Sequence, residues 1–111
     1  MSSQPTMSED RVKRIEITLK KDGTPQVAAG QGTVEIDSTK DEEVIWVSEF
    51  PFRIDFKKGT PFYEDQFNQK HRRSGLVRRA VLASRFRYYE YTIEVNGKTL
   101  DPKIMVFPGS D

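Results

Sequence analysis

A run of alternating aromatic and β-branched residues near the C-terminus constrains the fold more than any other part of the sequence. It reads Phe86-Arg-Tyr-Tyr-Glu-Tyr-Thr-Ile-Glu-Val95 and is followed directly by Asn96-Gly97. Asn-Gly is a strong hairpin signal, because both residues of a two-residue primed turn need a positive φ. We therefore predict one long strand, a tight turn and a closing strand over Lys103–Phe107. The strand face expected in the core carries Tyr89, Tyr91, Ile93 and Val95.

Earlier segments show the alternation of apolar and polar residues that a half-buried strand requires. The predicted strands are Val12–Leu19, 25–28, Thr33–Asp37, 43–48 and 50–56. Trp46, the single tryptophan, is expected to anchor the core. Residues 62–67 predict one helical turn that tucks Phe62 and Phe67 under the sheets. Residues 76–83 fit a strand or a helix, and we favour a strand because another strand follows closely.

The length and composition indicate one folded domain. The chain has 111 residues, of which 11% are aromatic and 35% hydrophobic, and a disordered chain lacks such large apolar groups. We expect a flexible tail over residues 1–10, a domain over 11–108 and a short tail over 109–111. Seven or eight short strands without a long helix predict an all-β fold, a single β-sandwich of two antiparallel or mixed sheets.

Several classes of protein are disfavoured by what the sequence lacks. It contains no cysteine, so disulfides and thiolate chemistry are excluded. No stretch approaches the ~18 apolar residues of a membrane-spanning helix, and we expect no membrane partner. The N-terminus has neither the basic start nor the apolar centre of a secretory signal. If residue 1 is the native start, we expect a cytoplasmic protein.

Four segments together resemble cupredoxin-like domains, and in particular the metal-free bacterial members of that group. These are Val44-Ile-Trp-Val47, Phe52-Arg-Ile-Asp-Phe56, Gly59-Thr-Pro-Phe62, and residues 89–106 with their tyrosine-rich strand and Leu100-Asp-Pro102. The resemblance covers about residues 12–107 and implies a cupredoxin-like sandwich. An immunoglobulin-like sandwich would produce much the same order of strands, and it stays open as the alternative.

The resemblance carries the fold but not the copper chemistry. Type 1 copper needs a cysteine thiolate and two imidazoles, with a methionine thioether as the weak axial ligand. Copper-binding relatives place most of these between the last two strands, where this chain has Val95-Asn-Gly-Lys-Thr-Leu-Asp-Pro102. That loop contains none of them, and His71 is the only histidine. We predict no metal, no cofactor and no electron transfer.

No set of residues in the sequence assembles into a catalytic site. His71 lies among cations, with no nearby carboxylate to orient it, and we expect a solvated loop histidine. The carboxylates of residues 41–43 and of Glu64-Asp65 are expected in a solvated loop and turn. No nucleophile, base and orienting group can be combined from these residues. The chain is therefore predicted not to be an enzyme.

The charge distribution is the most informative functional feature. Residues 66–89 carry seven cations and no acid, which leaves 11 basic and 17 acidic residues elsewhere, a net of −6. Six of the seven are arginines, which suit fork-shaped contacts to carboxylate or phosphate. The candidate partner-binding residues are Lys70, Arg72, Arg73, Arg78, Arg79, Arg85 and Arg87.

This basic segment has three interpretations. In the first, its arginines pair with the chain's own acids at residues 37–43 and 64–65. In the second, the domain is a non-enzymatic binding or structural module that contacts an acidic protein surface or a second copy of itself. In the third, aromatic residues within the segment, Phe67, Phe86 and Tyr88, join the cations in binding single-stranded nucleic acid. We favour the module and keep nucleic acid as the alternative function.

Overall fold

The computed structural model describes residues 11–78 and 87–107, and within these ranges the chain is all-β. Ten strands are present there, more than the seven or eight predicted, because one predicted strand is divided in two and two short strands, at residues 66–68 and 98–100, were not predicted. The expected tails at 1–10 and 109–111 lie outside the described residues. The strands are β1 (Val12–Leu19), β2 (Pro25–Val27), β3 (Thr33–Asp37), β4 (Glu43–Val47), β5 (Arg53–Asp55), β6 (Gln66–Asn68), β7 (Arg87–Glu90), β8 (Thr92–Val95), β9 (Lys98–Leu100) and β10 (Lys103–Phe107).

Backbone pairing divides these strands among three sheets rather than the two predicted. The first sheet has the order β2-β1-β4, the second β3-β10-β7 and the third β6-β5-β8-β9. The pairs β1–β4 and β3–β10 are parallel, and all the others are antiparallel. The charged loop between β3 and β4 joins the second sheet to the first.

The tyrosine-rich stretch is not one strand, which corrects the first prediction. It is divided at Tyr91 into β7, which pairs with β10 in the second sheet, and β8, which pairs with β5 and β9 in the third. The Tyr91 N–H leaves the ladder and donates to the Pro102 carbonyl at 3.0 Å. The chain changes sheets at this point, and alternation of side chains does not reveal the change because it continues across it.

The Asn96-Gly97 turn is confirmed, although its second strand is not the one predicted. Asn96 and Gly97 have φ values of 52° and 82°, and Val95 lies opposite Lys98. The turn therefore joins β8 to β9, a short strand that the sequence did not predict. After Asp101-Pro102 the chain enters β10, which lies in the second sheet between β3 and β7.

An aromatic cluster forms the centre of the core. Trp46 is fully buried, as predicted, and its ring contacts those of Phe56, Phe67 and Tyr91 at centroid distances of 5.0 to 6.3 Å. Trp46 Nε1 donates to the Tyr91 hydroxyl at 3.2 Å, so the buried indole N–H is satisfied. Burial raises the pKa of Tyr91 and outweighs the lowering effect of that hydrogen bond.

Two further predictions concern the irregular middle of the chain. Phe62 and Phe67 are buried as expected, but residues 62–67 form no helical turn, because the chain is extended and enters β6. Of the segment 76–83, the described part contains one isolated bridge between Val77 and Phe62 and no strand. The remainder lies outside the described residues. In the part of the chain that is described, no helix is long and apolar enough to cross a membrane.

Candidate functional site

The basic segment begins as a tight hairpin whose tip is Lys70. Asn68 and His71 exchange two backbone hydrogen bonds of 3.0 Å across the residues between them. The Asn68 side chain also accepts from the Lys70 N–H at 2.8 Å, an asparagine turn of the kind this residue favours. The backbone of the tip is thus fixed by local hydrogen bonds, and the exposed Lys70 side chain projects from it.

Beyond the hairpin, residues 72–74 lie along the outer edge of β4. The Trp46 N–H donates to the Arg72 carbonyl at 3.0 Å, and the Ser74 N–H donates to the Val44 carbonyl at 2.8 Å. The Ser74 hydroxyl in turn accepts from the Val44 N–H at 2.8 Å. Ser74 is only 5% exposed, so its hydroxyl replaces water as the acceptor for a buried donor. This part of the basic segment is a structural edge to the first sheet.

Two arginines of the segment are held by contacts within the domain. Arg73 donates through Nε and Nη2 to the Glu43 carboxylate at 2.9 and 3.3 Å, and these hydrogen bonds raise the pKa of the guanidinium. Arg78 donates to the Thr60 carbonyl at 3.2 and 2.9 Å. The first interpretation of the segment, pairing with the chain's own acids, therefore describes Arg73.

Four candidate cations have no carboxylate partner among the described residues. One is Arg78, which donates to a carbonyl instead, and the other three are Lys70, Arg72 and Arg87. Lys70 is at the tip of the hairpin and Arg72 directly follows the hairpin, whereas Arg87 lies on β7 in the second sheet. Beside Arg87, Tyr88 is 64% exposed. Arg79 and Arg85 lie outside the described residues.

The expectation for His71 was wrong in one respect. A carboxylate does lie beside it: His71 Nε2 is 2.6 Å from Glu64 Oε1, and the imidazole stacks on the Phe67 ring at 5.4 Å. Glu64 precedes His71 by seven residues, and the reversal of the chain at the hairpin brings the two together. Both side chains remain exposed, so the predicted solvent contact of His71 is confirmed.

An acidic cleft lies near the end of the described basic segment and was missed by the sequence reasoning. It has a volume of about 280 Å³, with Asp37, Asp41 and Glu42 on one side and Tyr63, Leu76 and Val77 on the other. Tyr63 and Leu76 are exposed. An aspartate at the end of a strand is a turn signal, because its side chain can accept a hydrogen bond from the backbone N–H two residues later. This signal could have marked Asp37.

Asp37 is buried, and hydrogen bonds stabilise its charged form. Thr39 donates to its Oδ1 through both N–H and hydroxyl, at 2.9 and 2.6 Å, and Lys40 Nζ lies 3.8 Å from Oδ2. Burial alone would raise the pKa of Asp37, but the Thr39 hydrogen bonds and the nearby lysines outweigh it and lower the pKa. The charge of Asp37 thus contributes to folding of the loop between β3 and β4.

The chemistry available to these surfaces is charge recognition. Within residues 11–78 and 87–107, no group of three or more histidine, cysteine or acidic side chains is placed to hold a metal ion. The described cations that lack acidic partners can bind carboxylates or phosphates. Comparison with protein-family models, curated proteins and solved structures found no match to this chain.

Proposed function

We propose that the domain is a copper-free, cupredoxin-like β-sandwich. Trp46 of the first sheet packs against Phe67 of the third, which supports two layers facing each other across an aromatic core. The parallel pairs β1–β4 and β3–β10 favour this arrangement over an immunoglobulin-like fold, whose sheets are antiparallel. The residues from Asn96 to Pro102 contain no copper ligand.

On this scaffold we propose a non-enzymatic binding module that contacts an acidic protein surface through Lys70 and Arg72, named here the hairpin cation pair. The observation that carries the proposal is that both cations lack an acidic partner among the described residues, while their backbones are fixed. Asn68 and His71 fix the hairpin, and Trp46 fixes Arg72. A cation on an ordered backbone loses less conformational entropy when it binds.

An acidic protein is favoured over nucleic acid by the overall charge. The net charge of the chain is +1, whereas a nucleic-acid-binding domain is usually strongly basic. With a net of −6 outside the basic segment, long-range repulsion would oppose a polyanion that reached beyond that segment. A compact acidic patch on a protein can contact the hairpin cation pair without approaching the remaining surface.

The test is binding of a fluorescent tetra-glutamate peptide, a short acidic run matched to the hairpin cation pair, at low and at physiological salt. The double variant Lys70→Glu/Arg72→Glu should weaken binding at least about tenfold, because each exposed cation contributes a fraction of a kcal/mol and reversal doubles the change. The control Lys21→Glu/Lys57→Glu alters the net charge equally at exposed turns elsewhere. Equal weakening by both double variants, or no binding by the wild type, would reject the proposal.

Single-stranded nucleic acid is a second candidate because β7 exposes both a cation, Arg87, and an aromatic ring, Tyr88. Base stacking on an aromatic ring contributes about 1–3 kcal/mol per base. If this function is correct, Tyr88→Ala should weaken binding of a labelled deca-uridine at least about fivefold. Tyr63→Ala, which removes an equally exposed tyrosine from another surface, should not. Absence of binding at low salt would exclude this candidate.

A further inference from the structure

The outer edge of β3 carries backbone groups that have no partner among the described residues. Lys103 N–H donates to the Gly32 carbonyl, and Ser38 N–H donates to the Phe107 carbonyl, so the even-numbered residues of this segment face β10. Because successive residues of a strand direct their N–H and C=O groups to opposite sides, Thr33 and Glu35 face away from β10. No strand of residues 11–78 or 87–107 pairs with them on that side.

This edge forms one wall of an open groove of about 500 Å³. The opposite wall is the first part of β1, Val12 to Arg14. Glu43 N–H donates to the Arg11 carbonyl, so the odd-numbered residues of β1 face β4 and the N–H of Arg14 is directed away from it. The groove therefore lies between two strand edges, each with backbone hydrogen-bonding groups that no described residue satisfies.

One side chain supplies hydrogen bonds at the end of the β3 edge, and another does so along the β1 edge. Glu42 Oε1 accepts from the Asp37 N–H at 2.9 Å, where the β3 edge ends. Gln31 takes the place of a strand residue beside β1, because its amide accepts from Glu16 N–H at 2.7 Å and donates to the Arg14 carbonyl at 2.9 Å. On the β3 edge, Thr33 and Glu35 precede the closure at Asp37, and no described side chain supplies hydrogen bonds to their backbone.

We propose that this groove binds an extended segment of a partner protein, which adds to β3 as a fourth strand of the second sheet. Strand addition of this kind takes its affinity from the backbone and its specificity from alternate side chains. Glu35 is exposed on the outer face, so the partner residue opposite it is a lysine or arginine. Val34 is half-buried on the inner face, so β-branched apolar residues flank that cation.

A second copy of this chain is a poor occupant of the same edge. Antiparallel pairing along the whole of two β3 strands would place Glu35 directly opposite Glu35 of the other copy. Like charges in directly opposed positions destabilise a strand pair. Charged residues on an edge strand are also a common means by which proteins prevent pairing with themselves. The charge of Glu35 disfavours the copy and selects a cation at the one partner position opposite it. Lys13 and Arg14 on the other wall of the groove disfavour further cations, so the rest of the partner strand is uncharged.

The test uses a nine-residue peptide of alternating valine and threonine with a lysine at its centre, and a matched peptide with a central glutamate. Binding is followed by amide hydrogen exchange with residue resolution. At about nine-tenths saturation, exchange of the Thr33 and Glu35 amides should slow about tenfold, because each becomes hydrogen bonded in the complex. The amides of Val34 and Ile36, which already face β10, should not change.

Two variants connect the binding to this edge. Glu35→Lys should reverse the preference, so that the central-glutamate peptide binds up to about fivefold more tightly than the central-lysine peptide. Glu35→Pro removes an N–H that no described carbonyl accepts, at an edge position where proline is tolerated, and should abolish binding. If the proline variant fails to fold, the charge-reversal result still decides the proposal.

Three results would overturn the proposal. The first is no change in exchange with either peptide at millimolar concentration. The second is protection at residues other than Thr33 and Glu35, which would place the peptide elsewhere. The third is a protein that already protects these amides at concentrations where light scattering shows a dimer, which would make a second copy the occupant.

Discussion

The outer edges of β4 and β3 both carry backbone N–H and C=O groups that no neighbouring strand satisfies, and these groups are treated differently at the two edges. At β4, the chain itself returns, and Arg72 and Ser74 satisfy the backbone of Trp46 and Val44. At β3, single side chains close only the end of the edge, and Thr33 and Glu35 remain without described partners. An edge closed by the chain belongs to the fold, whereas an edge left accessible is available to another molecule.

This difference also explains how the basic segment is used. Residues 72–74 run alongside the edge of β4, and this pairing sets the position of Arg73. The Arg73 side chain contacts Glu43, the first residue of β4. Lys70, at the hairpin tip, has no such constraint. Pairing with β4 fixes the backbone of both Arg72 and Arg73, but among the described residues only the Arg73 side chain has an acidic partner, and Arg72 stays available with Lys70.

The largest effect is expected from removing the closure at β4. Ser74→Ala leaves the buried Val44 N–H without an acceptor, and we expect a loss of about 1–3 kcal/mol in the free energy of unfolding. Urea denaturation measures it, with Thr99→Ala on the exposed face of β9 as the control. If Ser74→Ala and Thr99→Ala lost equal stability, the hydrogen bond from the Val44 N–H to the Ser74 hydroxyl would not be important for closing the β4 edge.

An intermediate, pH-dependent effect is expected where the β3 edge ends, at Asp37. Because its pKa is lowered by folding, its charged form stabilises the native state fully above the ordinary value of 3.8. This stabilisation is lost as the pH falls through the lower folded value. Asp37→Asn should therefore cost about 1 kcal/mol at neutral pH, because it weakens the charge-assisted hydrogen bonds from Thr39.

Denaturation curves of wild type and Asp37→Asn between pH 7 and about pH 2 test this sign. The difference in the free energy of unfolding should be constant down to about pH 5 and should then diminish toward zero. If the difference in the free energy of unfolding grew on acidification, folding would raise the pKa of Asp37, in contradiction to the lowering described above.

The smallest effect is expected from the ion pair that accompanies the covered edge. Arg73→Ala removes the contact with Glu43, but exposed ion pairs contribute little to stability and are screened by salt. We expect a shift in the urea midpoint near the limit of detection, comparable to that of Arg53→Ala, which breaks the exposed pair with Glu94. A loss as large as that of Ser74→Ala would show that the Arg73 side chain contributes as much to the β4 edge as the Ser74 hydroxyl does.

Much of the fold was predictable because it depends on local alternation. Ile15 and Ile17 are buried on β1, and Ile54 and Phe56 lie in the core at the spacing of two that the sequence shows. The Asn96-Gly97 turn was predictable because its positive φ values restrict the residues that can form it. These features need no knowledge of which strand lies beside which.

The candidate site was predictable in composition but not in geometry. The sequence located the cations of residues 66–89, and Lys70 and Arg72 are exposed as expected. It offered pairing with the acids of residues 37–43 as one interpretation, but it did not single out the contact of Arg73 with Glu43, and it gave His71 no carboxylate partner. Both contacts depend on chain reversals that bring distant positions together, and a linear pattern contains no information about such distances.

The sequence by itself determined that this chain is all-β, that Trp46 lies in the core, and that a basic segment is set within an otherwise acidic chain. Burial of apolar side chains and turn geometry act over a few residues, so the linear order contains them. Only the tertiary structure decided that the tyrosine-rich stretch divides at Tyr91, that residues 72–74 cover β4, and that none of the described residues covers the outer edge of β3. Every residue type except proline carries the same backbone N–H and C=O groups. Residue identity therefore does not specify which groups pair, and the packing of the whole chain selects the partners.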